Sequence, residues 1–310
     1  MQVEEELAQF SPKKDMLLTI GVFDGVHLGH KFLLSQLTEL AKQKNLLTGV
    51  VTFRQHPQEV LAPQTKLPFL TDLAGRTKLL RNEGVEAVIT LSFTHELAQL
   101  STRQFISLLK NYLRMRGMVV GPDFALGRNR EGSINVLRTL AKDMNFGVTV
   151  VPPIMINGEV VSSTAIRNAL ATGDMKRVHN LVGRLFSLHG HVVSGAGRGI
   201  KLGFPTANLD INPQQALPAE GVYATWAYID DKAYHSMTNI GKRPTFGGNE
   251  RTVEVYVVDY HSDLYRRELR IDVVERLRSE KQFNTAEELK KQIAEDIKQG
   301  RAILNSQGKE

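Results

Sequence analysis

Two histidines three positions apart, His27 and His30, sit in the run Gly21-Val22-Phe23-Asp24-Gly25-Val26-His27-Leu28-Gly29-His30. Upstream, Met16 to Ile20 reads as a short buried strand; downstream, Leu33, Leu34, Leu37, Leu40 and Ala41 recur at helical spacing. The run therefore predicts a strand, a glycine-rich turn and a helix start. Glycine lets backbone N–H groups approach an anion closely. A helix N-terminus adds unpaired donors and partial positive charge. Side chains three apart share a helix face, so both imidazoles can point at one phosphate. Nucleotidyl transfer needs such donors, fixed around a phosphorus that gains charge as it is attacked. From these residues alone, a tight turn whose histidines merely cap the helix remains the alternative.

Other runs carry further chemistry. His56-Pro57 follows the strand Leu47 to Phe53, and His56 taken singly reads as a loop histidine. The loop Gly121-Pro122-Asp123-Phe124-Ala125-Leu126-Gly127-Arg128-Asn129-Arg130-Glu131-Gly132 follows the strand Gly117 to Gly121 and places Asp123 at its end. Ser162, Ser163 and Thr164 precede a helix anchored by Ile166 and Leu170. They suit capping, and with Arg167 they also suit a polyphosphate. Gly195, Gly197, Gly199 and Gly203 punctuate a run holding Arg198 and Lys201 and ending Phe204-Pro205-Thr206-Ala207-Asn208. No helix can follow Phe204-Pro205, which excludes a dinucleotide fingerprint, and Gly-Lys-Ser/Thr is missing, which excludes a Walker loop. A flap over phosphates remains, or a barrel hairpin with turn glycines. On a strand, Thr206 and Asn208 face the same way, offering hydroxyl and amide oxygens to Mg²⁺.

The elements that must position these residues fall into two patterns. From residue 16 to about 182, strands alternate with helical stretches such as the one through Leu73, Leu79 and Leu80 and the one from Thr102 to Leu113. That alternation predicts an α/β Rossmann-like domain with a parallel sheet, its ligands at the carboxyl ends of strands. From Phe186 the segments turn short and β-rich (Phe186 to Val193, Gly221 to Ile229, Val253 to Asp259, Leu269 to Leu277), predicting a small antiparallel β-barrel. A terminal helix begins at Thr285, with a capping box to Glu288 and an apolar stripe of Leu289, Ile293 and Ile297. The expected domains are 1–183 and 184–310. With 310 residues and a net charge of +6, the chain has room for both, and it suits anionic ligands. Lys and Arg are interleaved with Asp and Glu, so no nucleic-acid partner is expected. Cysteine is absent, which leaves no disulfide framework and no thiolate zinc site and fits a cytoplasmic location. The acidic start, Met1 to Phe10, lacks the apolar core of a signal peptide, and no run is long enough to cross a bilayer.

The longer string Gly-Val-Phe-Asp-Gly-Val-His-x-Gly-His, numbered above, resembles the opening motif of prokaryotic bifunctional riboflavin kinase/FMN adenylyltransferases, itself a narrower form of the H-x-G-H of nucleotidylyltransferases. The resemblance extends in family order to the last helix. It implies that Gly21, Phe23, Asp24 and Gly25, with Ser162, Ser163, Thr164 and Arg167, bind ATP and its future pyrophosphate. His56, Pro57, Asp123, Phe124 and Arg130 are similar to the family's flavin and nucleotide contacts. Gln55, Leu126 and Arg266 depart from its pattern. The Phe-Pro-Thr-Ala-Asn run resembles the riboflavin kinase hallmark. With it, Gly195, Gly197, Arg198, Gly199, Lys201, Gly203, Phe204, Pro205, Asn239 and Arg243 are implied to contact ATP and flavin, Thr206 and Asn208 the metal, and Glu254 to be the base. The implied activities are phosphorylation of riboflavin to FMN and adenylylation of FMN to FAD, with ATP as co-substrate of both, Mg²⁺ as the metal and no covalent intermediate. Two other readings are a chain retaining only the kinase activity and a non-enzymatic RNA-binding or regulatory protein on the same scaffold. A tRNA synthetase fits less well, since no Lys-Met-Ser-Lys-Ser-like loop is present.

Overall fold

A computed structural model of the chain describes residues 1–65, 67–195, 197–242 and 251–308. By proximity it divides into two compact units, Met1–Ser163 and Thr164–Glu310.

The first unit runs α1 (Gln2–Ala8), β1 (Met16–Ile20), α2 (Leu28–Gln43), β2 (Leu47–Phe53), α3 (Pro57–Leu61), α4 (Leu73–Asn82), β3 (Ala87–Leu91), α5 (His95–Ala98), α6 (Thr102–Leu113), β4 (Met115–Val120), α7 (Ile134–Asp143), β5 (Gly147–Val150), β6 (Met155–Ile156) and β7 (Glu159–Val160). The five long strands form one parallel sheet in the order β3-β2-β1-β4-β5. Every residue of β1 is buried, as a strand covered on both faces requires. Alternate residues face opposite layers. Leu17, Val50 and Val119 pack with Leu34 and Leu37 of α2, whereas Leu18, Val51 and Met118 pack with Ile106 and Leu109 of α6. The strand order reverses between β1 and β4, which opens a crevice beyond their carboxyl ends. The short antiparallel hairpin β6–β7 stands between β5 and the Ser162–Thr164 run. Sequence reading overlooked it, because two-residue strands carry no periodicity.

Helix α8 (Ser163–Thr172) opens at the division between the units. The second unit continues with α9 (Met175–Val182), β8 (Phe186–Val193), α10 (Arg198–Leu202), β9 (Ala207–Asp210), β10 (Gly221–Ile229), β11 (Lys232–Lys242), β12 (Arg251–Val257), β13 (Glu268–Arg278) and α11 (Ala286–Ser306). Its strands close into a barrel in the order β10-β11-β12-β9-β8-β13. Along β10, Ala224 and Trp226 face outward and pack with Met237, Val274 and Leu304 of α11. Thr225 faces inward, and its hydroxyl lies 2.7 Å from that of Ser236 and 2.8 Å from that of Thr238, all three fully buried. Polar groups inside a small barrel must satisfy one another in this way.

The terminal helix differs from expectation in two details. Thr285 accepts the Glu288 N–H at 3.2 Å, but Glu288 reaches back to the N–H of Asn284, not of Thr285, so the box closes one residue early. The buried stripe consists of Asp296, Gly300 and Leu304, while Leu289 and Ile293 are only partly covered. Asp296 is buried as the partner of Arg278 at 2.8 Å.

Candidate functional sites

The glycine-rich turn leaves β1 into the first crevice in a contorted backbone. Phe23, Gly25 and Val26 have φ of 53°, 82° and 37°. Side chains other than glycine rarely adopt such angles, and they persist only where surrounding contacts impose them. Asp24 supplies those contacts: its buried carboxylate accepts the N–H of Leu70 at 2.9 Å and of Thr71 at 3.1 Å. Gly25 donates to the Thr71 hydroxyl at 3.1 Å, and a Cβ at Gly25 would stand 2.8 Å from Leu70. The Ser163 hydroxyl donates to the Asp24 carbonyl at 2.9 Å, bringing the start of α8 to the turn. The side chain of Asp24 thus organises the loop.

His27 is the N-cap of α2, and its Nδ1 accepts the backbone N–H of His30 at 3.3 Å. With Nδ1 so used, the neutral ring carries its proton on Nε2. The two rings stack at 3.6 Å and 18°, and Phe23 lies 5.0 Å from His30. A Cβ at Gly29 would meet the Val161 carbonyl at 3.1 Å and the His27 ring at 3.2 Å, so glycine makes room for both. The Nδ1 of His30 is buried without a hydrogen-bond partner. Burial first, then the like charges of His27 and Arg76, hold the His30 imidazole well below the ordinary histidine pKa. Capping and a paired-imidazole site therefore coexist in the same residues.

The other expected residues of this unit lie on neighbouring loops. His56 caps α3 at the end of β2, accepting the Gln58 N–H at 3.1 Å, with Pro57 in the first turn. Gln55 donates to the Phe93 carbonyl at 2.9 Å, which anchors the loop in which it departs from the family. After β4, Asp123 is exposed and its carbonyl accepts from Arg130 at 3.0 Å. Phe124 packs against the core, and Leu126 is buried within it. Ser162 and Ser163 stand at the start of α8; Thr164 and Arg167 follow within its first turn and a half, in the second unit.

The barrel presents a second polar row. Asn208 on β9, Glu254 on β12 and Asn239 on β11 are direct cross-strand neighbours. The Thr206 hydroxyl reaches to 3.5 Å of Glu254 Oε2. A side chain at Gly195 would displace Asn208: its Cβ would lie 2.0 Å from the Asn208 amide. A Cβ at Gly199 would stand 2.3 Å from the Phe204 carbonyl, and Phe204 stacks edge-on against Tyr256 at 5.6 Å. A short helix, α10, occupies the glycine run ahead of Phe204-Pro205, where sequence reading had a flap or a barrel hairpin. Gly197 and Gly203 bound it in left-handed conformations. Pro205 is exposed. Arg243 lies outside the described residues, as do the side chains of Arg198 and Lys201. Arg266, where the family often has glycine, takes φ of 63°, and its backbone N–H donates to the Val192 carbonyl of β8 at 2.9 Å; β12 and β13 are not neighbours in the barrel, so it stands in a connection between them and not in a hairpin.

Sequence reading missed Glu280. Its Oε1 accepts from Asn239 Nδ2 at 3.2 Å, and it lies over Gly241, whose Cβ would come within 2.1 Å of it. No motif marks it, because it follows β13 in a charged segment. The hydroxyl oxygen of Thr206 and the amide oxygen of Asn208 are hard donors of the kind that Mg²⁺ accepts. No helix among the described residues is long and apolar enough to cross a membrane.

Comparison with known proteins shows the family of the chain. Residues 9–165 match the FAD synthetase family model and residues 182–304 the riboflavin kinase model. The bifunctional riboflavin kinase/FMN adenylyltransferase of Escherichia coli K12 is 36% identical over 288 residues, covering 92% of each chain. That of Pseudomonas fluorescens is 35% identical over 306 residues, covering 98% of each. A crystal structure from Streptococcus pneumoniae, described as a macrolide-efflux protein, matches with a TM-score of 0.89 and 29% identity, covering 97% of both chains. The chain belongs to the bifunctional riboflavin kinase/FMN adenylyltransferase family.

Proposed function

We propose that the barrel unit phosphorylates riboflavin to FMN, that the parallel-sheet unit converts FMN to FAD, and that each reaction consumes ATP. The observation that carries this reading is a pair of dissimilar sites on separate units. One has stacked imidazoles at a helix N-terminus beyond β1; the other has a carboxylate set between two amides on a barrel wall.

In the kinase reaction the ribityl 5′-hydroxyl oxygen bonds to the γ-phosphorus of ATP as the bond from that phosphorus to the ADP oxygen breaks. Glu254 accepts the hydroxyl proton. Thr206 and Asn208 would hold Mg²⁺, and the ion would supply charge neutralisation there. In the second reaction an FMN phosphate oxygen bonds to the α-phosphorus of ATP, the bond to the bridging oxygen of the β-phosphate breaks, and pyrophosphate leaves. His27 and His30 donate to the α-phosphoryl oxygens as charge gathers on them. Ser162, Ser163, Thr164 and Arg167 hold the leaving pyrophosphate, and the loops of His56 and Asp123 border the flavin nucleotide. We set the boundary between the activities near residue 183, where Gly183 ends α9 in a left-handed turn and the barrel begins. The substrates are small soluble anions and riboflavin; no nucleic acid or membrane is involved, and the cytoplasm, where ATP is available, is the expected compartment.

The test is a chromatographic time course of riboflavin, MgATP and the purified chain. FMN should appear first and FAD later, with release of pyrophosphate. Absence of both products overturns the reading. FMN supplied with MgATP but yielding neither FAD nor pyrophosphate leaves the kinase alone.

A further inference from the structure

Arg76 on α4 is only 5% exposed, yet it belongs to none of the motifs described above. One guanidinium nitrogen donates to the Phe53 carbonyl at 2.5 Å, while Nε is buried with no partner. A guanidinium is costly to bury, and a buried donor left unpaired calls for a reason.

Its surroundings supply one. The Asp24 carboxylate grips the N–H groups of Leu70 and Thr71, and Asp72 caps α4 by accepting from Gly75 at 2.7 Å. One residue on, Arg76 returns to Phe53, the last residue of β2, from which the His56-Pro57 loop departs. Thr52 donates to the Val22 carbonyl at 3.0 Å and closes the circuit. The imidazole turn and the His56 loop are therefore hooked to one short segment, residues 70–76. Charge follows the same path: Arg76 interacts with the carboxylates of Asp24 and Asp72, and its positive field reaches His30, which otherwise faces His27 and the Phe23 ring.

We propose that Arg76 is a positioning residue of the adenylyl-transfer site: it locks the His27/His30 turn to the His56-Pro57 loop and supplies fixed positive charge beside the imidazole pair. This rests on the reading of the first unit as the FMN adenylyltransferase. The fixed charge favours a bound polyphosphate and opposes a second proton on the stacked rings.

The test uses the full chain with Arg76→Met and Arg76→Lys. FAD formation from FMN and MgATP is followed across pH, with riboflavin phosphorylation in the same preparations as the control. Arg76→Met should lower kcat/KM for FAD formation at least tenfold. It should also move the acid limb of the pH profile upward, because removal of a nearby cation makes His30 easier to protonate. Arg76→Lys should restore the limb but only part of the rate, since an ammonium keeps the charge without the planar donor array. Kinase rates should stay within twofold. FAD formation within threefold of the parent and an unmoved limb in Arg76→Met would overturn the proposal. So would equal loss of both activities in a folded variant, which marks a general structural role. Should Arg76→Met not fold, Arg76→Lys carries the comparison: a fall in FAD formation with an unmoved acid limb supports the proposal, and a rate equal to the parent overturns it. A parent chain that makes FMN but no FAD refutes the adenylyltransferase reading itself, whatever the variants do.

Discussion

The imidazole rings of His27 and His30 lie face to face at 3.6 Å, and Nδ1 of the first accepts the backbone N–H of the second. One residue thus both starts the helix and builds half of a pair that cannot readily carry two positive charges. Its two tasks are separable. His27→Asn keeps a capping oxygen, whereas His27→Ala does not, at a cost of roughly 1 kcal/mol of stability. Both variants should lose FAD formation by about 10²–10³-fold, the range seen when one preorganised donor is removed. Only the alanine variant should melt earlier, and both should still make FMN. Thermal melting beside the two assays reads the outcome; an active His27→Asn would reduce this histidine to a cap.

The depressed basicity of His30 has a defined effect on stability. In the unfolded chain its imidazole takes up a proton as pH falls through about 6.5. In the folded chain it resists protonation until well below that value. The unfolded state binds more protons in this window, so this site's contribution to stability declines as pH drops below about 6.5. The prediction is a fall in melting temperature from pH 7 to pH 5 that is shallower in His30→Gln, measured by calorimetry.

Glu254 sits between Asn208 and Asn239 in direct cross-strand register. Glu254→Gln preserves the shape of the row and removes the proton acceptor. Riboflavin phosphorylation should fall by about 10²–10⁴-fold, the usual worth of a general base, while added FMN is still converted to FAD. A glutamine variant with parental kinase activity would mean that the proton goes elsewhere.

Two small changes probe how that row is held. Gly195→Ala drives a methyl into the Asn208 amide, and Glu280→Ala frees the Asn239 amide from its acceptor. Each should weaken the kinase reaction and leave FAD formation from FMN intact, the glycine change more strongly because its neighbour is a proposed metal ligand. Glu280→Gln should rescue, since its amide oxygen can still accept from Asn239. Steady-state kinetics in riboflavin and ATP would separate these effects, and a Glu280→Ala enzyme matching the parent would make that contact incidental.

Arg278 and Asp296 form the ion pair beneath α11, with side-chain exposures of 14% and 6%. Removing one member strands the other in a poorly solvated site, a change that typically costs 3–5 kcal/mol. Arg278→Met should therefore lower the melting temperature of the barrel unit far more than Arg103→Met, which breaks an ion pair on the surface of the first unit. Equal shifts in the two melting profiles would count against burial as the cause.

Much of this molecule could be read without coordinates. Buried runs separated by helical periodicity carried the parallel sheet, and short alternating strands carried the barrel, because side-chain spacing is dictated locally by backbone geometry. The turn at His27, the hydroxyl run at Ser162 and the Phe204-Pro205 break were equally local. What spacing does not encode is which distant groups meet. The grip of Asp24 on Leu70 and Thr71, the return of Arg76 to Phe53, and the alignment of Asn208, Glu254 and Asn239 join segments tens of residues apart. They exist only once the sheet and the barrel close, since chain reversal and strand register, not neighbouring residues, bring the partners within hydrogen-bond reach.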